Sequence, residues 1–539
     1  MESNDEEKKK GKSFKSQQTA ADFETAIEKT GYGKFNYLLL LIAFPCCTSS
    51  VFETTTMSLI LPSAECTLSL SLGAKGMLNA VTYGGMITSA VLWGFLSDVL
   101  GRKKLMVYGY LLDGFFNILC GLSQSFIAIM IFKFITGFIM CGPFAVLMAY
   151  LSELHGLKFR SRVMLSTGVF FSIANIILPS LAWLIIPHSM FNLNIIDSYF
   201  ELHTWQIFLL VCSLPSIISG IAVMIFLPES PKFLMSRGRN EEAMKVFQRI
   251  HRINNGNNSE YPIKILLNEK MNEVKLDMNE GTMTGSMKVF HGMSVGLSQM
   301  AIMFKPPHLK NACIAYTIQF CILFGLNTFR LWVVQLFAII KEYQVEFAHD
   351  AIAIDDANLC TMIEFKVNKT EYMIEEMHHE NFNSTCEPNL DGEMFFNSML
   401  ISIIQLFAYL LASFIINAIG NKNLLIFGLL ISGFMSGSLY WAKNSLSTLL
   451  LSGGYISISS LSSTTVVSSV VSLFPTSTRT MTVSLLMMFG RLGAIIGNLL
   501  FPLLLSYGCF PPFSMISLTA LVCSAICLLI PKTNKKPLQ

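Results

Sequence analysis

Charge is what this sequence has least of. Asp, Glu, Lys and Arg make up 14% of its 539 residues, against 52% apolar types and a mean hydropathy of +0.54. Such a composition excludes an ordinary water-soluble domain. The apolar runs are about 20 residues long, enough to cross a hydrocarbon core of about 30 Å as helices and too long for the roughly ten alternating residues of a porin strand. No CxxC spacing occurs among the 13 cysteines, which removes the usual signal for zinc or a redox dithiol. Most cysteines fall inside apolar runs and read as small core residues. The polar segments contain no carboxylate pair, nucleophile–base pair or metal-ligand cluster, so neither an enzyme, a metal nor a cofactor is indicated. Basic clusters flank apolar runs instead of interleaving with aromatics, which argues against nucleic acid as a partner. The first 34 residues also lack an apolar run, so no cleavable signal peptide is predicted and this segment is expected to be a mobile, solvated tail.

What is present is a series of about twelve spans, at residues 37–61, 76–96, 105–122, 126–150, 164–186, 205–227, 311–340, 394–419, 423–441, 446–473, 481–505 and 512–530. The first is expected to end in a turn at Pro62. Gly137, Cys141 and Gly142 give the fourth a small-residue face that permits close helix approach. Residues 228–309 form a long linker, with an amphipathic helix over 239–252 (Ala243, Val246, Phe247 and Ile250 on its apolar side) and a moderately apolar stretch at 292–304 that leads into the second half. Lys and Arg crowd the N-tail, the 102–104 and 158–162 loops, the linker, Lys422, Arg479 and the C-tail, whereas the alternate loops are nearly free of them. That asymmetry predicts both termini on the cytoplasmic side. The chain therefore divides into an N-tail (1–34), a six-helix bundle (35–227), a cytoplasmic linker (228–309), a second six-helix bundle (310–530) and a C-tail (531–539). This is an all-α membrane protein of two pseudo-symmetric bundles.

Residues 341–393 are polar and acidic. They carry two glycosylation acceptors, at Asn368 and Asn383, and two cysteines, Cys360 and Cys386, a combination that suits a lumenal or extracellular loop. Pairing of Cys360 with Cys386 and their remaining free are both compatible with the sequence.

Ionisable groups inside a membrane are costly and usually face a cavity or one another. Here they are Glu53, Asp113, Lys133, Arg330 and Arg491. Glu53 could bind a cation or exchange a proton at a central cavity, or simply pair with Lys133 or Arg491. Asp113 reads as a structural partner. Arg330 and Trp332 stand two residues apart and so point to different faces of their helix.

The loop WGFLSDVLGRKKL combines Gly94, Asp98, Gly101, Arg102 and Lys103 in the spacing G-x-x-x-D-x-x-G-R-K, which resembles the signature loop between the second and third helices of the major facilitator superfamily. Glu53 followed by LPSAE, then LSELHGLKFR (Ser152, Glu153, Arg160), LAWLIIPH, HTWQIFLLVCSLPS, LPESPKFL and FPTSTR (with Arg479) resemble its synaptic vesicle glycoprotein 2 branch and that branch's organic-ion-transporter relatives, over residues 35–530. The resemblance implies a two-bundle carrier fold, conformational latches at Gly94, Asp98, Gly101, Arg102, Lys103, Glu153, Arg160 and Arg479, and central-site aromatics at Trp183 and Trp332, where an indole can otherwise be a packing or interfacial group. There are departures. Ser50 and Glu53 stand where the family often has Asp-x-x-Glu, the second-half copy of the signature loop reads INAIGNKN with Asn417 and Asn421, and Ser472 replaces an acid before FPTSTR. The 341–393 loop is also too short for the pentapeptide-repeat domain of the vertebrate vesicle proteins.

Two functions fit these features. One is a carrier for a small organic solute, a sugar or an organic ion, working by alternating access, with Glu53 as the route to proton coupling. The other is a non-transporting membrane protein that uses the same fold in vesicle trafficking or as a binding protein. The expected partners are the solute and the bilayer. The expected location is the plasma membrane or an intracellular vesicle membrane.

Overall fold

The computed structural model describes residues 20–188, 193–196, 200–256, 259–267, 306, 309–349, 357–379, 392–473 and 476–530. Two short pieces precede the spans: a strand, β1 (Ala20–Ala21), and a helix, α1 (Phe23–Lys29). The first six long helices are α2 (Lys34–Thr67), α3 (Leu72–Leu100), α4 (Arg102–Gly121), α5 (Phe126–Glu153), α6 (Leu157–Ile185) and α7 (Thr204–Phe226). Within the linker lie α8 (Pro231–Ser236) and α9 (Asn240–Asn255). The second six long helices, interrupted by the loop helix α11 (Leu359–His379), are α10 (Leu309–Glu346), α12 (Glu393–Ile419), α13 (Asn421–Ser438), α14 (Ser445–Leu473), α15 (Thr476–Leu505) and α16 (Phe510–Cys527). Nine of the described helices are long and apolar enough to cross a membrane by length and composition. The stretch at 292–304 lies outside the described residues.

Local chemistry starts and stops these helices. Ser71 accepts from Ala74 N at 3.2 Å to cap α3, and Ser125 accepts from Ala128 N at 3.3 Å to cap α5. The turn expected at Pro62 is not there: α2 continues through Pro45 and Pro62 to Thr67. In a bundle the freed carbonyls find other donors, so proline need not end a buried helix. The small face of α5 does what its spacing predicts. A Cβ on Gly137 would strike the Thr82 carbonyl, and one on Gly85 would strike the Phe134 carbonyl, so α3 and α5 touch backbone to backbone.

The N-tail differs from the expectation. Residues 20–34 fold onto the linker: β1 pairs in parallel with Ile265–Leu266, and α1 buries Phe23, Ala26 and Ile27. Those three residues make an apolar i, i+3, i+4 stripe, which needs cover. It meets the buried Ala243, Phe247 and Ile250 of α9. Asn254, at the end of α9, accepts from Phe35 N at 2.9 Å and donates to the Gly31 carbonyl at 3.0 Å, fixing the start of α2 to the linker.

The two bundles meet along α3–α15, α6–α12 and α2–α10. A two-fold axis relating the halves would exchange the first two contacts and preserve the third, so the pseudo-symmetry is visible in the packing. One end of the molecule carries the linker; the other carries the α2–α3, α10–α12 and α15–α16 connections. At the latter, the loop end, one apolar core joins both halves, from Leu59, Leu78 and Trp205 to Phe337, Phe501 and Phe513. There a Cβ on Gly76 of α3 would meet the Asn498 carbonyl of α15 at 2.6 Å. Toward the linker end there are two further cores, one around Leu105, Leu151 and Phe247, which takes in Leu331 and Ala494 of the second half, and another around Ala312, Leu425 and Cys527.

Candidate functional site

Three sets of polar residues emerge, and they do not form one cluster. The first lies inside the N-terminal bundle. Lys133 Nζ sits 3.1 and 3.2 Å from the two Glu53 oxygens and donates to Asn117 Oδ1 at 2.9 Å. Asn117 Nδ2 donates to Glu53 Oε2 at 2.9 Å, and Thr136 Oγ1 to Oε1 at 2.6 Å. Glu53 and Lys133 expose only 3% and 1% of their surface, so the pair is sealed. Next to it the Ser216 hydroxyl donates to Asp113 Oδ2 at 2.6 Å and meets Ser49, while Asp113 Oδ1 is buried without a partner among the described residues. Glu53 thus pairs with Lys133 and not with Arg491. The supporting residues Ser49, Asn117, Thr136 and Ser216 are ordinary helix residues in sequence, and only the i+4 relation of Ser49 to Glu53 and of Asn117 to Asp113 hints at any of them.

The second set is central, at the face between the halves. Arg330 Nη2 donates to Gln405 Oε1 at 3.0 Å and to Ser460 Oγ at 3.3 Å. Its ionisable neighbours are Tyr409 and Tyr83, the latter from the other half. Arg491 Nη1 reaches Cys141 Sγ of α5 at 3.1 Å, and Tyr83 lies within the field of both guanidinium groups. Trp332 points elsewhere, as its spacing from Arg330 requires: it is 1% exposed, with its ring centroid 5.1 Å from that of Phe501. Trp183 is at the loop end, 48% exposed, packed over Gly392 and over Phe396 of α12.

The third set is at the linker end. Gly101 has φ +92°, the left-handed turn that lets α3 pass into α4, and a Cβ there would press on Glu229. Glu229 Oε1 accepts from the backbone N–H groups of Arg102, Lys103 and Ser230 at 2.9, 3.0 and 2.9 Å. The Arg102 guanidinium donates to the Ser97 carbonyl at 2.9 Å, lies 3.7 Å from Glu153 and stacks over the Phe233 ring. Ser230 Oγ donates to Glu153 Oε2 at 2.5 Å. Arg160 makes a forked pair with Glu24 of α1, with Nη2 3.0 Å from Oε2. His155, in the short connection between α5 and α6, is buried with Nδ1 2.7 Å from the Leu151 carbonyl, and burial holds its pKa below the usual histidine value. Glu229 and Glu24 were not singled out from sequence: nothing local marks a carboxylate that accepts from a helix start far along the chain. The side chains of Asp98 and Arg479 lie outside the described ones, and Gly94 falls within α3.

One pairing differs from the expectation. Cys360 of α11 is bonded to Cys509, 149 residues away at the α15–α16 turn, and not to Cys386, which lies outside the described residues. The helical course of α11 sets Cys360 beside the neighbouring loop, and the backbone of Leu359 donates to Ala442 nearby. Cys66 is disulfide-bonded as well. Asn368 is exposed on α11, and Asn383 lies outside the described residues.

Two pseudo-symmetric bundles that share a core at one end, with charged groups at mid-depth, are the architecture of a membrane transporter. The Major Facilitator Superfamily model matches residues 43–353 and 393–539, and the chain belongs to that family. Within it the chain is similar to synaptic vesicle glycoprotein 2B of Rattus norvegicus, 32% identical over 238 residues, or 44% of this chain and 35% of that protein. It is similar also to synaptic vesicle glycoprotein 2C of Mus musculus, 29% identical over the same share of this chain and 32% of that protein. The matches thus span about a third of the length of these curated relatives. In three dimensions it resembles the partially occluded inward open conformation of the xylose transporter XylE from E. coli (TM-score 0.63, 15% identity, 94% of this chain and all of that one) and a D-xylose-proton symporter (TM-score 0.60, 13% identity, 92% and 97%).

Proposed function

We propose that this protein carries a small organic solute, a sugar or an organic ion, across a plasma or intracellular vesicle membrane by alternating access, with both termini and the linker in the cytoplasm. The observation that supports this most is the asymmetric packing: one core shared broadly by both halves at the loop end, and two distinct cores toward the linker end, the first of which is joined to the second half through Leu331 and Ala494. Such halves can rock about the central residues, which would be reached from the linker side in this state. Proton coupling is assigned to Glu53, a carboxylate at membrane depth held by Lys133, Asn117 and Thr136 inside the N-terminal bundle.

The rival reading, a non-transporting member, draws on the second half. Gly420, which stands where Gly101 stands in the first half and shares its left-handed turn (φ +81°), has no side chain pressed against it among the described residues, and Lys422 donates to the Leu528 and Ile530 carbonyls. The deciding measurement is uptake by vesicles reconstituted with purified protein, over sugars, organic cations and organic anions. Saturable uptake of one class, with its dependence on a proton gradient lost in Glu53→Gln, supports the carrier. No uptake of any class overturns it in favour of the rival.

A further inference from the structure

One flank of the linker end gathers Lys103 and Lys104 in the first turn of α4 with Lys245, Arg249 and Arg252 on α9. Among the described residues none of the five forms an ion pair. At 3.6 residues per turn the three on α9 fall within about 60° of arc. They stand opposite the buried stripe of Ala243, Phe247 and Ile250, and all three are exposed. The acids of these segments are largely engaged. Glu229 accepts from three backbone N–H groups, and Glu242 pairs with Arg239 at 2.6 Å. Glu241, four residues before Lys245, can answer only one charge of the group.

These cations cap an apolar wall. The two halves meet along other helices, so α4 and α7, packed side by side, lie on the outside of the molecule. Tyr108, Leu112 and Phe115 form an exposed stripe on α4, and Ile218, Ile221 and Ile225 form one on α7. Each set has the spacing of a single helix face. Lys104 heads the first stripe, four residues before Tyr108, and is exposed. The second stripe ends beside Phe226, the last residue of α7, whose carbonyl accepts from Arg249 Nη2 at 3.5 Å. Three residues further on, Glu229 accepts from Lys103 N at 3.0 Å, and the Lys103 ammonium lies within the field of Arg249. Both stripes therefore carry a cation at the same end.

We infer that this flank is a docking site for an anionic phospholipid, its headgroup between Lys104 of α4 and Arg249 of α9 and its acyl chains along the two exposed stripes. An apolar stripe capped by unpaired cations matches such a lipid in shape and in charge, and basic groups beside a membrane helix are drawn to anionic headgroups. The headgroup would touch both the bundle and the linker, so a bound lipid ties α9 to the membrane surface. Docking does not depend on carriage of a solute. The cytoplasmic placement of the linker decides only which leaflet supplies the lipid.

The test is native mass spectrometry of the delipidated full-length protein in detergent, titrated with dioleoylphosphatidylserine, dioleoylphosphatidylcholine or the soluble headgroup glycerophosphoserine. Phosphatidylserine should bind in preference to phosphatidylcholine. In Lys104→Gln/Arg249→Gln its binding should weaken roughly 30-fold, since each basic group at an anionic surface contributes about fivefold. Unchanged phosphatidylcholine binding shows that this variant is folded, and Lys104→Arg/Arg249→Lys, which keeps both charges, should bind phosphatidylserine like the wild type. Lys264→Gln/Lys310→Gln removes the same charge at two other exposed positions and should leave binding intact. Three results overturn the site: phosphatidylserine held no more tightly than phosphatidylcholine, an equal loss in both Gln double variants, or glycerophosphoserine binding as tightly as the lipid. The last would mark a site for a free phosphate ester.

Discussion

Glu53 and Lys133 show how a buried ion pair is held at membrane depth. Each oxygen of Glu53 meets two donors, and Lys133 spends its protons on Glu53 and Asn117. Removing one member leaves the other unpaired, which typically costs about 3–5 kcal/mol, whereas removing both leaves the net charge of the site unchanged. Lys133→Met should therefore lower the apparent unfolding midpoint sharply, and Glu53→Gln/Lys133→Met should recover part of the loss. A double variant as unstable as the sum of its singles would show that the two residues are not coupled. His155 predicts a pH effect. Because burial lowers its folded pKa, the unfolded chain takes up the proton first, so this group's contribution is present above about pH 6.5 and lost as the pH falls below it. The midpoint of the wild type should fall more steeply from pH 7 to 5.5 than that of His155→Gln; parallel profiles would remove His155 as a cause.

Among the elements, the connection from α3 to α4 is the clearest case of a turn supported from elsewhere. Glu229 accepts three backbone N–H groups, two of them at the first turn of α4, where the helix dipole favours an anion. Glu229→Ala should cost about 2 kcal/mol, and Gly101→Ala should also destabilise, since it needs a left-handed conformation and the space Glu229 fills. If thermal unfolding of Glu229→Ala matches the wild type, the carboxylate is not the support. For the loop helix α11, peptide mapping without reduction should recover Cys360 joined to Cys509, and Cys509→Ser should make Cys360 alkylatable. Recovery of a Cys360–Cys386 peptide would refute this assignment. Helix existence was legible in the sequence because about 20 apolar residues leave few alternatives. The extension of α2 past Pro62 was not, because proline is a stop only where nothing else satisfies the freed carbonyl.

For the whole molecule, the joined loop end is the property to test. Gly76 allows α3 to lie against α15 at Asn498 and Pro502, and a larger side chain there should wedge the halves apart. Spin labels at the exposed Ser71 and Tyr507 should report a longer distance in Gly76→Leu than in an otherwise wild-type background. An unchanged distance would mean that this contact does not hold the end closed.

Read alone, the sequence was enough for the helical character of the spans, the family, and the list of ionisable residues that must be dealt with inside a membrane. Those follow from hydropathy, from charge placement between runs and from short spacings, all of which are local. Only the tertiary structure decided which charge answers which: Glu53 went to Lys133, Glu229 to the start of α4, Glu24 to Arg160 and Cys360 to Cys509, while Arg330 and Arg491 met no carboxylate among the described residues. Pairings of this kind join residues up to 350 positions apart. They are settled by which helix faces are pressed together, and no local pattern carries that information.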